Sequence, residues 1–371
     1  MRDILQNYSL KEIEDICLGL GEQKFRAKQI YEGIYSGKKI SEISNISKEL
    51  KAKLLEKYED EPISLHTKLV GKDGTIKYVY KLADNNIIEG VLMSYKYGNT
   101  LCVSTQVGCR MGCKFCASTL GGLIRNLSAG EILSQVLFVN RDNGGDLKNR
   151  KVTNVVLMGS GEPLDNYYNV IKFFELVSSE NGINISQRNI SLSTCGLVDK
   201  IREMAELNLQ ITLTISLHAP NDEMRKEIMP IANRYSLKEL IDAVKFYFNK
   251  TKRRVVFEYS LISGKNDTFA CADELSQLLK GLVCHVNLIP LNEVKERGMQ
   301  GTNRKKAYAF ADRLTQNGIS ATVRRTMGAD IEGACGQLRA KILNGSNTTN
   351  NNWGVSLPIE KYKIIIKTKK I

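Results

Sequence analysis

Between residues 100 and 327 the chain repeats one unit six times: a short apolar run, a polar or glycine-bearing turn, and an amphipathic stretch. The apolar runs are 101–105, 152–158, 190–194, 211–217, 255–261 and 284–289. Strands joined by helix-length connections pair in parallel, because a tight turn cannot carry the chain back to the start of a parallel neighbour. Largely apolar strands in such a sheet are expected to be buried. Polar motifs follow successive strands at their C-terminal ends, where parallel barrels place their chemistry. The pattern therefore predicts an α/β fold, a partial (β/α)6 barrel rather than a flat sheet. A further strand is expected from Ala321 to Arg325. Capping boxes, Ser128-Ala-Gly-Glu131 and Ser236-Leu-Lys-Glu239, mark two helix starts.

The flanks read differently. Residues 1–60 are expected to form a small helical accessory domain. Ser9-Leu-Lys-Glu12 is a capping box, and Phe25, Ile30, Ile34 and Tyr35, then Leu50, Leu54 and Leu55, recur at helical spacing. Residues 61–98 read as a connecting β-hairpin, with strand text at 76–82 and 87–93 and turns at Gly71-Lys-Asp-Gly74 and Gly98-Asn99. The catalytic barrel is expected over 99–342. A polar, asparagine-rich linker and basic tail fill 343–371.

A net charge of +13 invites a polyanion, because phosphate contacts supply most non-specific nucleic-acid affinity. The charge is unevenly placed. Residues 1–60 balance, whereas Lys148-Asn-Arg-Lys151, Lys252-Arg-Arg254, Arg304-Lys-Lys306, Arg324-Arg325 and the tail are basic. A solubilising surface would look much the same, so charge alone leaves both readings open. No run approaches 18 apolar residues and the N-terminus has no apolar leader, so neither membrane insertion nor export is expected and a cytoplasmic location is.

Nine cysteines without a leader fit a reducing compartment with metal or redox work for some of them. Three stand in one loop, Gly-Cys109-Arg-Met-Gly-Cys113-Lys-Phe-Cys116, at Cys-x3-Cys-x2-Cys spacing. Structural zinc sites close a tetrahedron with four ligands, and ferredoxin clusters hold every iron through cysteine. Three thiolates on a [4Fe-4S] cluster leave one iron open to a small molecule, which points to catalysis. The alternative is a zinc knuckle that borrows a distant ligand. Downstream, strand 152–158 runs into Met158-Gly-Ser-Gly-Glu-Pro163, a turn that lets backbone approach a ligand and offers Glu162 to an ammonium.

The cysteine spacing, with Phe115 before the last cysteine, resembles the radical S-adenosylmethionine (SAM) signature. The wider segment Thr100-Leu-Cys-Val-Ser-Thr-Gln-Val-Gly-Cys109 through Ser118 is similar to its RlmN-type branch of dual-specificity adenine carbon-2 methyltransferases. The likeness runs from about residue 10 to about residue 342. It implies a radical SAM barrel, a [4Fe-4S] cluster on Cys109, Cys113 and Cys116, and two SAM molecules per turnover, one as methyl donor and one as radical source. Gly161 and Glu162, Ser193, Ser216, Leu217, His218 and Asn292 would contact SAM. The substrates implied are 23S rRNA at the peptidyl transferase centre and tRNA beside the anticodon. A flavodoxin or ferredoxin would be the electron donor, and the enzyme would be a monomer.

Carbon 2 of adenine is electron-poor, so polar alkylation fails there and a radical route is needed. The resemblance routes the methyl through Cys335, in Gly333-Ala-Cys-Gly-Gln-Leu338. Cys102 would then attack the Cys335 sulfur to release product as a transient disulfide, and Glu89 would take the carbon-2 proton. By themselves these residues say less. Cys335 lies in a glycine-flanked polar loop where packing has little use for a thiol; Cys102 reads as a buried strand residue, Glu89 as an ordinary strand carboxylate, and His218 as a structural histidine. Cys17, Cys195, Cys271 and Cys284 read as core filler. Three other functions compete: adenine carbon-8 methylation conferring antibiotic resistance, a non-catalytic iron-sulfur RNA-binding or redox-sensing protein, and a radical SAM enzyme acting on protein or small molecules. Pro163 and Asn166-Tyr167 favour the carbon-2 branch over its carbon-8 sister.

Overall fold

Capping and apolar spacing together produce the first three helices of the computed structural model, which describes residues 2–338 and the backbone of 341–342. The expected linker and tail over 343–371 lie outside the described residues. The helices are α1 (Leu10–Gly19), α2 (Phe25–Tyr35) and α3 (Lys48–Lys57). The Ser9–Glu12 box forms, with the Ser9 N–H donating to the Glu12 carboxylate at 2.6 Å. Phe25 departs from the stripe its spacing suggests: it is 53 % exposed on the first turn of α2, under the Arg26 guanidinium. The buried face is instead Ala27, Ile30, Tyr31, Ile34 and Tyr35. Tyr31 and Tyr35 stack 4.0 Å apart against Gly182, where a Cβ would come within 2.6 Å of the Tyr35 ring.

β1 (Ile63–Val70), β2 (Ile76–Leu82) and β3 (Asn86–Tyr95) run antiparallel and extend the main sheet. β1 alternates in sequence, Ile63, Leu65 and Leu69 against Ser64, His66 and Lys68, yet on this edge strand only Ile63 is buried. β4 (Gly98–Cys102) pairs with β3 across a turn at Lys96-Tyr97. Gly98 is thus strand rather than turn. Its φ is +131°, and a Cβ there would collide with Thr153.

A ribbon of β5 (Gln106–Gly108) and β6 (Leu123–Asn126) follows, then α4 (Ala129–Asp142). Next come β7 (Asn154–Leu157), α5 (Tyr167–Val177), β8 (Ile190–Thr194), α6 (Val198–Ala205), β9 (Thr212–Ser216), α7 (Asp222–Ile228) and α8 (Leu237–Thr251). The series closes with β10 (Val255–Leu261), α9 (Phe269–Leu279), β11 (Cys284–Pro290), α10 (Arg304–Gln316) and β12 (Ala321–Val323). The capping boxes at Ser128 and Ser236 form as their spacing predicts.

The sheet order is β1-β2-β3-β4-β7-β8-β9-β10-β11-β12, with every pair from β4 to β12 parallel. One continuous apolar core joins the N-terminal helices to those that cover the barrel. Lys172 pairs with Glu12 at 2.8 Å and the Gly130 N–H donates to the Asn7 side chain at 2.7 Å, fastening α1 and the chain before it to α5 and α4.

The parallel strands are uniformly apolar on one face only. Val155, Leu157, Ile190, Leu192, Leu213, Ile215, Phe257, Val286 and Leu288 are buried under the helices. The alternate residues Asn154, Ser191, Thr212 and Asn287 are half-exposed on the concave side. The barrel does not close, so its lumen stays open, with a mixed polar and apolar wall, rather than filling with packed side chains. After β12 the chain crosses the C-terminal mouth, and β13 (Lys341–Ile342) pairs with β3. That crossing carries Cys335.

Candidate active site

The β5–β6 ribbon pinches the cysteine loop at its base. Gly108 and Gly122 both have positive φ, and a Cβ on Gly108 would strike the Gly122 carbonyl. Above the pinch, the Lys114 N–H donates to the Ile228 carbonyl at 2.9 Å. The Thr119 hydroxyl lies 3.1 and 3.0 Å from the carbonyls of Cys113 and Cys116, and Arg297 donates to both Cys116 and Thr119. Two further bonds tie this loop to the crossing segment: Ala117 N–H to the Gly336 carbonyl and the Ser118 hydroxyl to the Leu338 carbonyl, each 2.8 Å.

Cys109, Cys113 and Cys116 line one solvent-open cavity of about 910 Å³, together with Gly161, Glu162, Ser193, Ser216, His218, Asn292 and Cys335. Ten of the residues singled out from sequence thus converge at the strand C-terminal ends. Glu162 is buried, and its two oxygens accept from the N–H groups of Leu164 (3.0 Å) and Cys195 (2.7 Å). Burial nevertheless pushes its carboxyl above the ordinary range. Gly161 has φ +110°, and a Cβ there would come within 2.6 Å of Gln106, so the turn admits glycine and keeps the backbone against the cavity. The Ser193 and Ser216 hydroxyls are 3.2 Å apart, and the Asn292 amide donates to the Cys335 carbonyl at 3.1 Å.

His218 sits in left-handed backbone at φ +59°, with its ring edge-on to Phe115. Its Nδ1 accepts from the Ser260 N–H at 2.9 Å, which leaves the proton on Nε2. Burial, reinforced by Arg225, lowers its pKa to about 3. The folded ring thus stays neutral where the unfolded one, near 6.5, takes up a proton. The unfolded state binds more protons between those values, so stability rises with pH across the window pH 3 to 6.5. We expect the group to cost up to about 1.4 kcal/mol per pH unit on acidification through that window. His218→Gln should flatten the profile there, measured as urea midpoints against pH.

Three residues, Leu217, Glu89 and Cys102, fall outside the cavity wall. Leu217 is fully buried in the core, and its N–H donates to the Glu258 carbonyl, so it contributes backbone rather than side chain to this end of β9. Glu89 is buried on β3 and pairs with Lys77 at 3.0 Å. Alternation places it on the same face of β3 as Val91 and Met93. Those two line a second pocket that holds Cys102 and Cys335 together. Burial and the neighbouring Cys335 push the Cys102 thiol up to about 12.

Other residues at the site carried no sequence signal of their own. Cys195, which reads as filler, lines the cavity in an apolar cluster with Cys113. Burial, Glu162 and Cys113 push its thiol well above the ordinary range. Arg324 lines both pockets, within 3.4 Å of Glu258, and the adjacent Cys335 sulfur holds its guanidinium charged. Arg225 is fully buried. It donates to the carbonyls of Cys195 (2.6 Å), Leu217 (3.2 Å) and Ser216 (3.4 Å), while its Nη1 has no partner among the described residues. The guanidinium braces the ends of β8 and β9 and places a buried positive charge beside Cys113.

The donor set fits an iron-sulfur cluster. All three loop cysteines are free thiols in the cavity wall, and burial raises each of them, Cys109 to about 12. Such thiols become ligands when a metal's charge replaces the proton. Among the described residues no three His, Cys, Asp or Glu side chains converge on a single-ion site; a four-iron cluster takes each thiolate on a different iron and needs no such convergence.

A half-barrel with this cavity defines a radical SAM enzyme, and the comparisons agree. A model of the Radical SAM superfamily matches residues 103–270, and one described as the ribosomal RNA large subunit methyltransferase N-terminal domain matches residues 4–59. The crystal structure of a radical SAM methyltransferase from Sphaerobacter thermophilus superimposes with a TM-score of 0.87 at 40% identity, covering 91% of this chain and 99% of that one. A probable dual-specificity RNA methyltransferase RlmN from Lachnospira eligens is 51% identical over 92% of this chain and 97% of its own length. The protein of the same description from Clostridium perfringens is 55% identical over 91% and 97%. The chain belongs to the RlmN family of radical SAM RNA methyltransferases. It is therefore a SAM-dependent enzyme acting on RNA, and the family implies SAM and a [4Fe-4S] cluster. No helix of the described residues is long and apolar enough to cross a membrane.

Proposed function

We propose that the enzyme methylates carbon 2 of adenosine in 23S rRNA at the peptidyl transferase centre and in tRNA beside the anticodon, through a methyl group carried on Cys335. The observation that carries this reading is the position of Cys335. Its side chain lines the cavity of the three loop cysteines on one side and the pocket of Cys102 on the other. A thiol so placed can take a methyl group, present it to a base, and be cleared by a second thiol.

Cys109, Cys113 and Cys116 would hold the cluster, and Gly161, Glu162, Ser193, Ser216, His218 and Asn292 would hold SAM. When bound, these groups supply the methyl donor and, from a second SAM, a one-electron route that electron-poor carbon 2 requires. The protein's part is thiol chemistry. The Cys335 sulfur would attack the sulfonium methyl, its new carbon–sulfur bond forming as the methyl's bond to the cofactor sulfur breaks and the neutral thioether leaves. Arg324 supplies positive charge beside it. Cys102 later attacks the Cys335 sulfur, making the disulfide as the bond to the RNA-borne carbon breaks. Burial above all keeps the Cys102 thiol protonated in the folded chain. Glu89 would receive the carbon-2 proton, with Lys77 fixing its carboxylate.

A flavodoxin or ferredoxin would deliver the electron, and we take the enzyme as a cytoplasmic monomer. The test is anaerobic reconstitution with SAM, reductant and RNA, followed by mass spectrometry of the adenosines. We expect 2-methyladenosine. Recovery of 8-methyladenosine would reassign the position, and unmodified RNA under conditions that cleave SAM would refute the reading.

A further inference from the structure

We propose that the lumen of the half-barrel is a second nucleotide subsite, which takes the unstacked nucleotide beside the target adenosine. This rests on the RNA-methylating function proposed above. Closed parallel barrels fill their interiors with layers of branched apolar side chains. Here the concave face instead borders an open space of about 1010 Å³ whose wall mixes the polar groups Asn154, Thr214 and Asn287 with Val156, Met158 and Val256. Amides and hydroxyls of this kind suit the hydrogen-bonding edges of a splayed base.

The charge balance favours a phosphodiester. Arg188, Arg324 and Arg325 line the lumen against one carboxylate, Glu258, which Arg324 already engages. At its floor, in the β3–β4 turn, Tyr97 is 71 % exposed and lies parallel to Tyr95, ring centres 4.9 Å apart at 7°. A stacked pair with one open face is a platform for a further planar ring, and single-stranded RNA is gripped by such rings and backbone cations together.

The lumen is continuous with the chemistry. Met158, Glu258 and Arg324 wall both it and the loop-cysteine cavity, while Tyr95 and Arg325 wall both it and the Cys102–Cys335 pocket. From Ser193 at the mouth to Ile190 at the start of β8 is three residues of strand, roughly 10 Å, and Arg188 stands in the helical turn just before it. A target base at the mouth therefore leaves its neighbour room below. Extruding a base requires unstacking it from that neighbour, and a subsite for the neighbour would offset part of that cost.

The test compares wild-type and Tyr97→Ala holoenzymes on a short RNA hairpin carrying the target adenosine. Each is assayed on the intact hairpin and on hairpins made abasic at either neighbour. We expect Tyr97→Ala to lower kcat/KM about tenfold on intact RNA, and less than about twofold once the stacking neighbour is abasic, because the partner ring is then gone. SAM cleavage without RNA should be unchanged. Arg188→Gln should weaken RNA binding and reduce its salt slope by about one. Equal costs on all hairpins, or no cost on any, would overturn the subsite. Failure of the wild type to methylate the hairpin would count against the function, not the lumen. A second readout then decides: 4-thiouridine at the neighbour positions should photocrosslink to peptides containing Tyr97 or Arg188, and crosslinks confined to other peptides would overturn the proposal.

Discussion

Cys102→Ala should convert the enzyme into one that traps its substrate, giving a covalent protein–RNA adduct that migrates above the free protein on denaturing gels. Cys335→Ala should give neither adduct nor methylated base, a loss on the order of 10⁴-fold or more, as for removal of a covalent nucleophile. The two variants fail differently because the thiols sit on opposite sides of one step. Cys335 lines the cavity that would receive the methyl donor, and Cys102 reaches Cys335 only from the pocket behind it. Neither change should unfold the protein. Cys102 touches a small cluster of Val91 and Leu338, and Cys335 is only half-buried. The double variant should behave as Cys335→Ala, because no bond to RNA forms for Cys102 to break. An adduct in the double variant, or none in Cys102→Ala, would remove these roles.

Arg225→Met should destabilise the barrel by about 3 kcal/mol, because buried carbonyls of Cys195, Ser216 and Leu217 lose their donor and each unsatisfied group costs about 1–3 kcal/mol. The urea midpoint reads this directly. The same change removes the cation beside Cys113, so iron and sulfide content after reconstitution should fall as well. Arg225→Lys keeps the charge but cannot fork to three acceptors. It should hold more iron than Arg225→Met while remaining less stable than wild type. Equal iron in both variants would make Arg225 a strut and nothing more.

Much of the barrel was legible because its signals are local. The runs 190–194 and 255–261 are the observed β8 and β10 to the residue, and the three capping boxes form where their spacing places them. Signals that depend on neighbours were weaker. β1 alternates but buries only Ile63, and Phe25 has helical spacing but meets solvent and Arg26 rather than the core. The strands Ile190-Ser-Leu-Ser-Thr194 and Thr212-Leu-Thr-Ile-Ser216 alternate visibly, yet a parallel sheet predicts burial on both faces. An open barrel reverses that expectation for one face. Spacing likewise cannot separate Cys195, which lines the cavity, from Cys17 and Cys271, which do not.

The sequence by itself determined the cysteine loop, the order of strands and helices, and the strand ends that carry Glu162, Ser193, His218 and Asn292, because each depends on residues close together in the chain. Only the tertiary structure decided that Cys335 lies between the loop cysteines and Cys102, that Arg225 braces two strand ends from below, and that the lumen is open. The position of Cys335 depends on the crossing from β12 to β13 over an unclosed sheet. That path brings together residues more than two hundred positions apart, and no local pattern encodes the contact.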